Sequence, residues 1–178
     1  DSAPDGGRYS ACIREQTDIG IKWPNDIVIN GRKVCGILTE MDMEADYIRD
    51  VIVGVGINVN QADVSSFPEE IRDTASSLRI EFNRIINRSG LIAAIMSEFE
   101  NNYDIFLTSG DLRELKDKYE DMLISMDREV KVLDPKGEYT GIARGIDTKG
   151  ELLVETPDGE VTRVYAGEVS VRGLYGYV

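Results

Sequence analysis

A chain of 178 residues, 42% apolar and 30% charged, is long enough to bury one medium core or one core with a small satellite, and too apolar to be a disordered tail. Its 33 acidic side chains outnumber 20 basic ones, and the net charge of −13, with arginines and lysines scattered singly, argues against general nucleic-acid binding. Two cysteines, Cys12 and Cys35, are too few for the disulfide framework of a small secreted domain, and both sit among apolar neighbours as small buried thiols do.

The first residues contain no basic segment followed by an apolar one, so no signal peptide is visible. Residues 51–59 (VIVGVGINV) form the longest apolar run and are too short to span a bilayer. The expectation is a cytoplasmic protein with no membrane contact.

In chain order, residues 8–16 read as the end of a helix with Tyr9, Cys12 and Ile13 on one face. A short strand over residues 20–22 leads into Trp23-Pro24-Asn25-Asp26, where the proline and the Asn-Asp pair predict a tight bend. Residues 27–29 resume as strand, and Asn30-Gly31 is a hairpin signal, because a type I′ turn needs positive φ at both central positions. A long strand over residues 33–43 is predicted to turn at Ala45-Asp46 and return antiparallel over residues 47–59. Val51-Ile52-Val53, continuously apolar, is expected to be central and buried on both faces.

The period then changes. Leu91, Ile92, Ile95, Met96, Phe99, Tyr103 and Phe106 recur at helical spacing, which predicts an amphipathic helix laying this stripe on the sheet as core and ending at Ser109-Gly110. Leu112, Leu115, Tyr119 and Leu123 predict a second, shorter helix. After Met126 come five short β-patterned runs, with turn signals at residues 134–137, 147–150, 157–159 and 166–168. They predict a small all-β barrel or sandwich and a domain boundary near Ser125.

For chemistry, Lys22 stands at a strand end beside the rigid bend, where it can meet an anion as a point charge. Alone, it reads better as an ordinary solvated lysine before a turn. Gly36 interrupts the strand that starts at Lys33, and Gly54 and Gly56 interrupt the next one, which ends on Asn58 and Asn60. Glycine weakens a strand unless backbone or ligand must come close. The Gly-x-Gly is no dinucleotide loop, since no helix opens after it and Val59 stands where a third glycine belongs. What remains is a sheet against which a flat ligand lies on bare backbone, with Lys22 and Asn58 as polar anchors. Trp23 either stacks on that ligand or packs in the core.

Taken in order, I-K-W-P-N-D, K-x-x-G-I-L-x-E, G-x-G-I-N-V-N, the later T-A-S-S-L and the C-terminal A-G-E-V-S-V-R resemble the biotin protein ligase family over nearly all of residues 21–172. The resemblance is to the C-terminal part of the catalytic domain, residues 1–125 here, followed by an SH3-like barrel, residues 126–178. It implies an α+β fold: a mixed, largely antiparallel sheet with packed helices, of the biotin/lipoate ligase kind, followed by the small all-β barrel.

The implied reaction joins biotin to Mg-ATP as biotinyl-5′-AMP, then transfers biotin to a lysine of a biotin carboxyl carrier protein or domain. On that pattern Lys22 is the catalytic residue, binding the biotin carboxylate and α-phosphate. Gly36, Gly54 and Gly56 form the floor, Ile37 and Leu38 an apolar wall, and Asn58 and Arg172 contact the nucleotide. Trp23, Asn25, Asp26 and Ile57 complete the expected binding set, and no protein-held metal is expected. Residues 33–40 look similar to a strand the family uses in dimer contacts, so a homodimer is implied. No helix-turn-helix pattern occurs, so no DNA partner and no repressor role are expected.

The family's basic glycine-rich loop, G-R-G-R-x-G-R upstream of K-W-P-N-D, does not occur in these residues. Residues 2–6 resemble the segment before it, and Gly7-Arg8-Tyr9-Ser10 lead straight into the helix after it. Weakened ligation is the expectation. It leaves open a non-catalytic biotin- or nucleotide-binding remnant of the same fold, and a lipoate-type acyl ligase, against which the K-W-P-N-D and G-I-N-V-N pair argues.

Overall fold

The computed structural model describes residues 18–44, 47–134, 137–166 and 170–173. Strands β1 (Ile19–Lys22), β2 (Asp26–Ile29), β3 (Arg32–Glu44) and β4 (Tyr47–Ile57) follow one another as an antiparallel four-stranded meander in the order β1-β2-β3-β4. Helices α1 (Leu78–Phe82), α2 (Arg88–Ser109) and α3 (Lys116–Glu120) come next. Strands β5 (Glu129–Leu133), β6 (Tyr139–Ile146), β7 (Leu152–Glu155), β8 (Val161–Val164) and β9 (Ser170–Gly173) then form a second antiparallel sheet in the order β8-β7-β6-β5-β9. The fold is α+β with two antiparallel sheets.

Local chemistry explains most boundaries. Asn30 and Gly31 take φ of 50° and 75°, the left-handed pair that the β2–β3 hairpin requires. Asn87 caps α2 by accepting from the Gly90 N–H, and Gly110, with φ 75°, closes it by donating to the Phe106 carbonyl. Asp147 accepts from the N–H groups of Lys149 and Glu151 and fixes the turn between β6 and β7.

Two small cores result. Ile29, Val34 and Cys35 are buried under the first sheet, with Ile27, Ile37, Ile57, Leu78 and Phe82 packed against them. Val130, Val132, Ala143, Ile146, Leu152, Val154 and Val164 fill the second, joined by Trp23 and Leu123 from outside its sheet. The two halves are tied by backbone: the Ile21 N–H donates to the Met122 carbonyl at 2.7 Å and the Ile124 N–H to the Ile21 carbonyl at 3.0 Å. Gly20 is required there, since a Cβ would lie 2.2 Å from the Ile124 side chain.

Three expectations are corrected. Val51, Ile52 and Val53 are not central: β4 ends the order of the first sheet, and these side chains stay 52%, 64% and 46% exposed because no described element covers either face. Likewise the α2 stripe does not lie on the sheet; Ile92, Met96, Phe99, Tyr103 and Phe106 are exposed, with Phe99, Tyr103 and Phe106 stacked on one another. Finally, α3 is shorter than the spacing predicts, because Leu123 leaves the helix to bridge Ile21. The helix expected over residues 8–16, Cys12 and the turn at Ala45-Asp46 lie outside the described residues. Among the described residues, no helix is long and apolar enough to cross a membrane.

These burial differences make two predictions. Leu152, fully buried, should cost about 2–5 kcal/mol when cut to alanine, whereas Ile52→Ala should change stability by no more than about 0.5 kcal/mol in urea unfolding of this chain. Burial also pushes the Cys35 thiol above its ordinary range, with the Lys33 charge opposing and the Asp26 charge adding to the rise. Less thiolate at a given pH means slower attack, so Cys35 should alkylate more slowly in the folded protein than in urea, and gain rate only as pH climbs past the usual thiol range. Peptide mapping separates it from Cys12; equal folded and unfolded rates would contradict the burial.

Candidate functional site

Register brings the sequence motifs together. Lys22 pairs with Asp26 across β1–β2, Asp26 with Gly36 across β2–β3, and Gly36 with Gly56 across β3–β4. Partners directly opposite in antiparallel strands share a face, so these residues make one row across the sheet, charged at one end and bare at the other. Leu38 and Gly54 pair in the next row on the same face, and Leu38 is 63% exposed. A Cβ built on Gly56 would meet only the Gly36 carbonyl at 3.7 Å, and one on Gly54 only the Leu38 carbonyl at 3.5 Å. Among the described residues there is room for side chains at both, so their packing does not require the bare floor.

Lys33, the first residue of K-x-x-G-I-L, joins this row through a bulge. Three residues before Gly36, a regular strand would aim it at the opposite face. Instead the pairs run Ile27↔Cys35 and then Val28↔Lys33, leaving Val34 as an extra residue on β3. Such a bulge re-aims the following side chain. The Lys33 ammonium consequently lies 2.9 Å from where a Gly36 Cβ would be, and 2.5 Å from Asp26 Oδ1. Asp26 is the more buried partner, its side chain 13% exposed against 38% for Lys33. Alternation along the strand gives Lys33 no role at this face; its signal is the motif's leading lysine, but its facing depends on the bulge, which no local pattern announces.

The remaining expected residues divide. Asn58 follows Gly56 by two and continues the pairing, its N–H donating to the Val34 carbonyl at 2.8 Å. Asn25 is engaged structurally: its Nδ2 donates to the Ile37 carbonyl at 2.7 Å and its carbonyl accepts from the Ile37 N–H. Ile37 and Ile57 sit out of phase with Gly36 and Gly56 and pack on the opposite, core face, so Leu38 alone remains of the apolar wall. Trp23 does not front the floor. It is 4% exposed in the second core, its Nε1 donating to the Gly150 carbonyl at 3.0 Å. Asn60 is likewise structural, bonded twice to the Ile86 backbone. Arg172 lies on β9 opposite Lys131, at the end of the second sheet's order. Among the described residues no three His, Cys, Asp or Glu side chains gather as a metal cage.

The row, with two lysines beside a half-buried carboxylate and a glycine floor, suits a flat ligand ending in an anion. Comparison with known proteins agrees with that chemistry. Residues 8–58 match the Biotin/lipoate A/B protein ligase family, and residues 126–172 match the Biotin protein ligase C terminal domain. The bifunctional ligase/repressor BirA of Bacillus subtilis is 41% identical over 156 residues, covering 88% of this chain and 46% of its own length. The biotin–[acetyl-CoA-carboxylase] ligase of Mycobacterium tuberculosis is 31% identical over 153 residues, covering 85% of this chain and 53% of its own. The chain thus spans about half the length of these relatives. A biotin protein ligase from Aquifex aeolicus, solved in complex with biotin and ATP, superposes with a TM-score of 0.73 at 32% identity, covering 87% of this chain and 62% of that one. By the two domain matches, the identities and the shared fold, the chain belongs to the biotin protein ligase family.

Proposed function

We propose that the protein activates biotin with ATP and transfers it to a lysine of a biotin carboxyl carrier protein or domain. The observation that carries this reading is the single row of Lys22, Asp26, Gly36 and Gly56 with the Lys33 ammonium above it. Biotin lies on the glycine floor with its carboxylate toward the lysines. One carboxylate oxygen attacks the α-phosphorus of ATP; the bond to the bridging oxygen breaks and pyrophosphate leaves. The carrier lysine, as free amine, then attacks the activated carbonyl, AMP departs, and the new amide sheds a proton. The protein's part is to hold two anions together and to neutralise charge as it gathers on the phosphate.

Lys22 and Lys33 supply that charge, and Asp26 fixes where Lys33 supplies it. Asn58 and Arg172 contact the nucleotide. Bound with the ATP, Mg²⁺ would supply further charge neutralisation at the phosphates. Residues 1–125 act as the catalytic unit and residues 126–178 as an SH3-like C-terminal unit. The reaction is cytoplasmic, and a homodimer through β3 accompanies it.

Two sets of substitutions test the reading. Lys33→Ala and Lys22→Ala should each lower biotin-dependent pyrophosphate release by about 100-fold, the usual cost of removing one donor from developing charge. Gly56→Val adds a side chain that the described residues leave room for but the ligand cannot pass. It should abolish biotin binding in calorimetry while shifting stability by no more than about 1 kcal/mol. Wild-type affinity in Gly56→Val, or preference for a lipoate-type carboxylate over biotin, would overturn the proposal.

A further inference from the structure

Glu81 places a further carboxylate, its side chain buried, near this hairpin, and the reaction above does not use it. Its side chain is 2% exposed. The carboxylate accepts from Arg32 Nη2 at 2.8 Å, from Asn30 Nδ2 at 2.8 Å and from the Ser76 hydroxyl. Burying a carboxylate is costly unless charge and hydrogen bonds offset the lost water, and here all three donors converge on one group. They come from two separate pieces of chain: Asn30 and Arg32 from the β2–β3 turn, Ser76 from the T-A-S-S-L segment.

Lys33 lies between those pieces. Its N–H donates to the Thr74 carbonyl at 2.7 Å and its carbonyl accepts from the Ser76 N–H at 2.8 Å, a parallel bridge with Ala75. Immediately after it comes the bulge at Val34. Glu81 thus joins the residue before Lys33 to the segment that grips the Lys33 peptide on both sides. Helix α1, which carries Glu81, is itself pinned: Ser77 Oγ accepts from the Ile80 N–H and donates to the Gln61 carbonyl, while Leu78 and Phe82 pack under the sheet face opposite Gly36.

We propose that Glu81 is a positioning residue that holds the bulged backbone at Lys33, and through it the ammonium over Gly36. Glu81 touches no ligand; it acts through Lys33. The catalytic consequence rests on the reading of the site given above.

The test has two arms. In the first, amide hydrogen exchange is followed without ligand. Glu81→Gln should speed exchange at the Lys33 and Ser76 N–H groups at least about tenfold relative to Val132 and Val154 in the second core. Unchanged exchange at Lys33 overturns the clamp whatever the activity. In the second, a double-mutant cycle measures biotin-dependent pyrophosphate release for the parent protein, Glu81→Gln, Lys33→Ala and the pair. Displacing a charged group by about an ångström costs on the order of 10–100-fold, so Glu81→Gln alone should lower kcat/KM by that much. Added to Lys33→Ala, it should cost almost nothing more, because the group it positions is already gone.

Equal losses in both backgrounds would mean Glu81 is merely structural and overturn the proposal. Should Glu81→Gln not fold, Ser76→Ala removes one donor only and runs through the same two arms. A parent protein that releases no pyrophosphate, or one in which Lys33→Ala changes nothing, counts against the functional reading and its catalytic consequence, while the exchange arm still judges the clamp.

Discussion

One extra residue in β3 decides what this sheet can do. With Val34 looped out of register, Lys33 and Gly36 share a face although three positions separate them, and the ammonium comes down on bare backbone beside Asp26. In a regular strand the same lysine would point into the core with Cys35 and Ile37, which no charged group tolerates unpaired. The bulge is thus constrained from both faces: apolar packing fixes Val34 and Cys35 below, and the Asp26 carboxylate receives the charge above. The rest of the site is register. Once the Trp23-Pro24-Asn25 bend sets Lys22 opposite Asp26, pairing carries the row to Gly36 and Gly56 without further specification.

The second sheet bears on this row through Trp23 and Ile21. Trp23 follows Lys22 directly and is buried among Val130, Leu152 and their neighbours, so the strand end that presents Lys22 is anchored in the other half's core. Ile124 closes over Gly20 on the same strand. A lysine on a flexible stem contributes more to a developing charge when its backbone cannot drift, and here the anchor is a large aromatic side chain with a satisfied indole N–H. The C-terminal sheet and the first sheet are thus joined at the strand end that carries Lys22.

Much of this was legible in the sequence, and the exceptions have physical causes. The hairpin at Asn30-Gly31, the helix stop at Gly110, five C-terminal strands and the unusual glycines of β3 and β4 all follow from local backbone preferences. Lys33 is not legible because facing along a strand is inferred from alternation, and a bulge reverses alternation without a composition signal. Trp23 reads either as a ligand stack or as core, because sequence gives size and polarity but not partner. The exposure of Val51, Ile52, Val53 and the α2 stripe defeated hydrophobic pattern reading for a different reason. Pattern states which side chains a fold would bury, and burial needs a second surface, which the described residues do not bring to them. Glu81 was invisible as a site feature, since its meaning lies in three donors brought from residues 30, 32 and 76.

The central claim is that an anion-ended flat ligand sits on the Gly36–Gly56 floor between Lys22 and Lys33. A crystal structure of the protein with biotin and a non-hydrolysable ATP analogue tests it most directly. The account predicts biotin density over Gly36 and Gly56, its carboxylate within hydrogen-bond distance of a lysine ammonium and the α-phosphate alongside. Ligand bound on the opposite face, or on the second sheet with the glycine row empty, would contradict it.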